Sequence, residues 1–431
     1  MNRYENYFET GYEWIGEIPS SWELSRVGKF FTERSEKVDD VTYPPLSVTM
    51  NGIVDQLSDV AKSNDNNNRK LVKKDDFVIN SRSDRKGSSG IAPRDGSVSL
   101  INIVLAPKNI DPKYIENLFK SYYFKEEYFR NGKGIHWDLW TTRWEQFKNI
   151  NIPIPPIEEQ KLISRYLDKK TTQIDSLVKK IQKKIELLKE QRTSLINHYV
   201  TKGLDPNVEM KDSGVEWVDR IPKTWSKSRL DFLTKLNGRL GWKSLKSDEY
   251  VEEGYVFLST PNIKNWDIDF VNVNYITEER YVESPEIMLE EGDVLLVKDG
   301  STLGITNYVR NLPRPSTVNS SIGVLKTTSS QLLPEFLFWS LSGNYIQNVI
   351  QRIKGGMGVP HLFQSDIKKF VVFLPPIEDQ LEICQFLNYQ IPKLNELIKS
   401  HVHKINCYKE YRQSLVSSVV TGKVRVTEDM I

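Results

Sequence analysis

"PPIEEQ" at residues 155–160 returns as "PPIEDQ" at 375–380, and the reading of this pair decides the architecture. Taken singly, either copy is a helix start. Pro156 suits the first helical turn, where a missing N–H loses no partner, and Glu158 and Glu159 favour the positive end of the helix dipole. Two copies with the same sequel require an architectural answer. Adding 220 to each position from Pro155 onward aligns the two stretches without a gap, and roughly 18 of about 47 positions are identical. Lys189, Glu190, Arg192, Ser194 and Leu195 recur as Lys409, Glu410, Arg412, Ser414 and Leu415. "VTKG" (200–203) is answered by "VTGK" (420–423).

A second repeated phrase opens each half. "GYEWIGEIPSSWELSRV" (11–27) matches "GVEWVDRIPKTWSKSRL" (214–230), so Trp14, Ile18, Pro19, Trp22 and Arg26 are answered by Trp217, Ile221, Pro222, Trp225 and Arg229. The middles, 27–150 and 230–370, share little beyond a faint common order of strands and helices. The chain is therefore two half-molecules with a shared frame and divergent interiors.

After each proline pair, apolar residues fall every seven positions. The first series is Leu167, Ile174, Ile181, Leu188 and Leu195, flanked by Val178 and Ile185. The second is Leu387, Leu394, His401, Tyr408 and Leu415, flanked by Ile391, Ile398, Ile405 and Val419. A seven-residue repeat this long predicts a helix packed along its length against another helix. About 45 residues at 1.5 Å each reach nearly 70 Å, and Thr171–Thr172 and Pro392 mark the places where a break is plausible. Pairing of the two helices with each other, antiparallel, gives the chain an approximate two-fold axis. Lys179, Lys180, Lys183 and Lys184 read as a solvated face.

At 431 residues the chain has room for two or three domains, and 39% hydrophobic with 27% charged residues describes a globular protein. No apolar run reaches membrane-spanning length and the N-terminus lacks a signal-peptide core, so a cytoplasmic, non-membrane protein is expected. Cys384 and Cys407 form no disulfide framework. A net charge of +2 leaves local patches to decide nucleic-acid binding.

Within the globular halves, "GDVLLVKDGSTLGITNYV" (292–309) reads as strand, turn, strand; "STVNSSIGVLKT" (316–327) as one further strand; and 333–350 as a helix. The first half runs in parallel through 75–93, 96–107 and a helical 110–129. Three loops combine basic, small polar and glycine residues. "NSRSDRKGSSG" (80–90) offers Asn80, Arg82, Arg85 and Lys86; "KLNGRLGWKSLK" (235–246) offers Arg239, Trp242, Lys243 and Lys246; "VKDGSTLG" (297–304) offers Lys298, Ser301 and Thr302. Such loops suit phosphate contact and base-edge hydrogen bonding, although for any one of them taken alone a solvated surface loop is the better reading.

Signs of catalysis are missing. There is no GxxxxGK[ST] phosphate loop, no glycine-rich dinucleotide fingerprint and no Asn-Pro-Pro-Tyr-like tetrapeptide. Five scattered histidines form no triad, and no metal site is expected; His401 and His403 lie two apart, on different helix faces.

With these phrases in this order over nearly the whole chain, the sequence resembles the DNA specificity (S) subunits of type I restriction–modification systems. The resemblance implies an α+β fold: two mixed α/β target-recognition domains separated by two long antiparallel coiled-coil helices, in a pseudo-two-fold internal repeat. The expected division is 1–154 and 204–374 for the recognition domains, 155–203 and 375–423 for the spacer helices, and 424–431 for a tail. Each recognition domain would read one half of a bipartite, asymmetric site on double-stranded DNA. The helices would set the spacing and dock two methyltransferase (M) subunits, with restriction (R) subunits able to join. The resemblance implies no cofactor in this chain, S-adenosylmethionine belonging to the M subunits and ATP with Mg to the R subunits. A protein–protein scaffold, or a self-contained DNA methyltransferase or nuclease, are the competing readings.

Overall fold

A computed structural model describes residues 3–57, 68–82, 85–134, 140–238, 245–264, 266–355 and 360–431. The chain divides into two units, Met1–Gln182 with Val402–Ile431, and Lys183–His401.

Each unit is built around a four-stranded antiparallel sheet of the same order. In the first unit the strands are β1 (Phe31–Glu33), β2 (Phe77–Asn80), β3 (Ser89–Ile91) and β4 (Asn102–Pro107), arranged β3-β2-β4-β1. In the second they are β5 (Thr234–Asn237), β6 (Val294–Val297), β7 (Thr306–Tyr308) and β8 (Ile322–Thr327), arranged β7-β6-β8-β5. The central strands are covered on both faces, which is why "FVIN" and "VLLV" read as apolar runs without polar alternation. Phe77 and Ile79 face the helices while Val78 faces a smaller apolar cluster with Leu46, Val72 and Val98. Val294 and Leu296 divide from Leu295 and Val297 in the same way.

The segment 316–327 departs from the single strand expected. Ser316–Val318 pairs parallel with Tyr255–Leu258 in a second sheet, and only Ile322–Thr327 joins the central one. Each expected helix is likewise two. Ser121 separates Pro112–Lys120 from Tyr122–Arg130, accepting a hydrogen bond from the Phe124 N–H, and Gly343 separates Pro334–Ser342 from Asn344–Ile353. The break lets each pair wrap its sheet, burying Leu118, Phe119 and Phe124 in one unit and Phe336, Leu341 and Ile346 in the other.

The repeated phrase opens the long helices α1 (Ile157–Lys202) and α2 (Ile377–Val420). Its glutamine explains the repetition. Gln160 is buried, donates to the Pro155 carbonyl at 2.8 Å and accepts from the Asp111 N–H at 2.9 Å. Gln380, buried likewise, donates to the Pro375 and Gln331 carbonyls and accepts from the Leu333 N–H at 2.9 Å. Each glutamine thus ties a long-helix start to the entry of the helix Pro112–Lys120 or Pro334–Ser342, satisfying buried backbone groups that an apolar residue would orphan.

Within each unit the start of one long helix packs along the end of the other, so the pairing is antiparallel. In the first unit Ile163, Leu167 and Ile174 share a core with Leu415, Val416 and Val419, with Tyr408 partly buried against it, and Arg412 pairs with Asp175 at 3.1 Å. In the second, Ile196 and Val200 share one with Ile383, Leu387 and Ile391, with Leu195 and Leu394 packed against it, and Arg192 donates to Asn395 at 2.7 Å. Ile181 and Leu188 are only half-buried; Ile185 is the covered residue of that stretch. Neither place carries a break. The Thr171 hydroxyl bonds back to the Leu167 carbonyl at 2.7 Å, and helix α2 continues through Pro392, held by the buried Leu387 and Ile391 at the cost of one backbone bond.

Both helices end on a left-handed glycine, Gly203 (φ +74°) and Gly422 (φ +73°). The tryptophan of the opening phrase lies over each: a Cβ on Gly203 would sit 3.1 Å from Trp225, and one on Gly422 would strike Pro19 and lie 3.3 Å from Trp22. The swap of "KG" for "GK" therefore moves the cap by one residue, and the helices have 46 and 44 residues.

Candidate nucleic-acid interface

In the first unit, β2 delivers Asn80 to the rim of a concavity of about 550 Å³. Asn80, Arg82, Arg85 and Lys86 all line it, so the structure brings the four first-half candidates together. Asn80 is buried and shapes the loop, accepting from the Arg82 N–H at 3.0 Å, while Arg82, Arg85 and Lys86 are exposed. Lys86 bonds both Glu126 oxygens at 2.8 Å and lies over the Phe129 ring.

Sequence reading missed two contributors. Arg69 lines the same concavity, 7% exposed, donating to the Ser97 hydroxyl at 2.8 Å and carbonyl at 3.2 Å. Burial pushes its guanidinium pKa down, with Asp40 opposing. The hairpin Leu46–Thr49 and Gly52–Asp55 forms another wall, with Val48 and Met50. Its signal was present in "VTMNGIV", an Asn-Gly turn between alternating apolar residues. Arg69 has no such signal; only the fold buries it. Among the described lining residues there are four basic side chains and no carboxylate, an arrangement that attracts a polyanion.

In the second unit the turn after β6 holds Lys298, Ser301 and Thr302. Ser301 is exposed and Thr302 half-buried. Lys298 is buried, with its ammonium 2.7 Å from the Asp299 carboxylate. The opposite Asp299 oxygen accepts from His361 Nδ1. Burial raises the Asp299 pKa, but Lys298 and His361 more than reverse this and leave it below the usual carboxylate range. Lys246 lies apart, at the N-terminus of the one-turn helix Ser247–Glu249, whose Glu249 pairs with Arg280. Arg239, Trp242 and Lys243 lie outside the described residues.

Among the described residues no cluster of three or more His, Cys, Asp or Glu is placed to hold a metal ion, and no helix is long and apolar enough to cross a membrane.

The family model of the type I restriction modification DNA specificity domain matches the chain twice, over residues 19–187 and 222–406. The type I restriction enzyme MjaVIII specificity subunit of Methanocaldococcus jannaschii is 24% identical over 428 residues, spanning 95% of this chain and 94% of its own length. The EcoKI specificity subunit of Escherichia coli is 24% identical over 288 residues, 64% of this chain and 58% of its own. Among solved structures, a chain from a study of complex assembly and conformational transition in a type I R-M system superposes with a TM-score of 0.71 at 14% identity, covering 94% of this chain and 99% of its own. The HsdS subunit of Thermoanaerobacter tengcongensis gives 0.52 at 17%, covering 96% and 100%. A duplicated recognition fold, a basic concavity and these likenesses converge: the chain belongs to the type I restriction–modification DNA specificity family, whose members choose a DNA sequence and are not themselves enzymes.

Proposed function

We propose that each unit reads one half of a bipartite, asymmetric site in duplex DNA, through the loop that follows its central strand β2 or β6. The observation that carries this reading is the first-unit concavity, four cations and no carboxylate among its described lining residues, set at the end of a rigid strand. Phosphate contacts there supply affinity, and loop side chains supply discrimination. The long helices set the number of unread base pairs and present two like surfaces to two methyltransferase subunits. Those partners bring S-adenosylmethionine and the chemistry; restriction subunits, where they join, bring ATP and Mg.

The test is duplex selection and salt titration with the complex of this chain and its methyltransferase subunit. A selected bipartite sequence, with affinity falling steeply as salt rises, is the expected result. Binding without sequence preference, or methyl transfer by this chain alone, would overturn the reading. Exchanging residues 27–150 for another family member's should alter one half-site only.

A further inference from the structure

The two loops occupy the same place in their units, and the backbone fixes the correspondence residue by residue. One step beyond β2, the Ser81 carbonyl accepts from the Thr142 N–H at 3.0 Å; one step beyond β6, the Lys298 carbonyl accepts from the Leu362 N–H at 2.8 Å. The next residue then forms an isolated antiparallel bridge, Arg82 with Thr141 and Asp299 with His361. A further bridge continues each lattice, Lys133 with Thr141 and Gly355 with His361, each through a reciprocal pair of backbone bonds. Arg82 is therefore the positional equivalent of Asp299, and Thr141 of His361. Alignment of the loops as letter strings hides this, because "SRSDRKG" and "KDGSTLG" share almost nothing.

The chemistry at this shared position is inverted. In the first unit Arg82 is exposed and can only donate, with Lys133 exposed on the neighbouring bridge. In the second unit the position carries a carboxylate. A carboxylate only accepts, and each Asp299 oxygen already takes one hydrogen bond, from the Lys298 ammonium and from His361 Nδ1. The Lys298 side chain is 11% exposed, that of Asp299 21% and that of His361 34%. The second unit thus places half-buried carboxylate acceptors where the first unit places an exposed donor.

We propose that these equivalent positions are opposed specificity determinants: Arg82 reads a guanine in one half-site, and the Asp299–His361 pair reads a base with a major-groove amino group, cytosine or adenine, in the other. The assignment rests on the DNA-reading function proposed above. Guanine offers two acceptors, O6 and N7, in the spacing of a guanidinium fork, whereas cytosine N4 and adenine N6 offer hydrogens that an arginine cannot use. Lys298 and the Asp299 carboxylate position the ring.

Duplex selection with the methyltransferase complex tests this on four chains. The wild type should select a guanine in the first half-site and a cytosine or adenine in the second. Arg82→Lys keeps the charge but loses the fork, so guanine preference should fall on the order of ten- to a hundredfold with little change in the salt dependence of binding. Asp299→Ala and His361→Ala should each relax one amino-bearing position in the second half-site and leave the first intact. If Asp299→Ala fails to fold around the freed Lys298, His361→Ala still decides. A wild-type selection that stays intact in all three variants, or an Arg82→Lys that weakens binding equally on all sequences, overturns the assignment while leaving the proposed function standing. No sequence preference in the wild type overturns the function itself.

Discussion

The two opening hairpins say nearly the same thing and fold differently. Trp14 is buried, at 8% exposure, with its ring edge-on to Phe124 at 5.6 Å. Its counterpart Trp217 is 53% exposed and holds a left-handed backbone, φ +74°. The two hairpins differ at the residue next to the turn. Gly16 takes the left-handed position in the first hairpin (φ +69°), and a loop of several residues joins Tyr7–Glu9 to Glu17–Pro19. Asp219 stands in its place and lies inside the strand Val218–Pro222, so the turn closes over Glu216–Trp217 and the ladder slips between Asp212 and Val215. Identical tryptophans thus sit in opposite environments, and a repeat in letters is not a repeat in conformation.

That contrast can be broken by substitution. Trp14→Ala should cost about 3–5 kcal/mol, as large-to-small changes in packed cores do. Trp217→Gly should be neutral or stabilise by up to about 1 kcal/mol, because it releases a left-handed bulky residue. Urea unfolding of the two variants checks this; equal losses would mean Trp217 is not free of the core. The helix-end glycines sharpen the comparison at smaller amplitude. Gly422→Ala must accept both the left-handed backbone and a collision with Pro19, at about 2–4 kcal/mol, whereas Gly203→Ala meets only the edge of Trp225, at about 1–2 kcal/mol. Thermal unfolding should rank them in that order.

The smallest effect lies in the loops after β2 and β6. The Asp299 pKa is depressed in the folded chain, so its contribution to stability is full above its unfolded value of about 3.9 and is lost as pH falls through the lower folded value. Asp299→Asn should therefore flatten the acid limb of the stability curve, whereas Arg82→Gln, at the equivalent position, should leave that limb unchanged. A denaturant series between pH 5 and pH 2 measures both.

The frame was legible because its constraints are local or periodic. Pro156 and the acidic first turn announce a helix, the seven-residue spacing from Leu167 gives its covered face, and Gln160 recurs with Gln380 because both satisfy the same buried amides. The candidate site was less legible because its chemistry is assembled from distant residues. Asp299 and His361 are 62 positions apart, and Arg69 is lined up with Arg82 only by the fold. Lys298 carried the right charge for a DNA contact, but its ammonium is buried against its own neighbour. The hairpin at 46–55 was written plainly in Asn51–Gly52 and went unread, since the flanking strands have only four residues each.

The first unit is sewn from both ends of the chain, Met1–Gln182 and Val402–Ile431, whereas the second is one continuous stretch. On the ribosome the later-written half therefore has all its own residues before the earlier-written half does. Val416, Val419 and Val420, which complete the core around Trp22 and Leu167, are made only after the whole of the second unit. A message cut short near codon 400 would strike hardest at the part of the protein translated first.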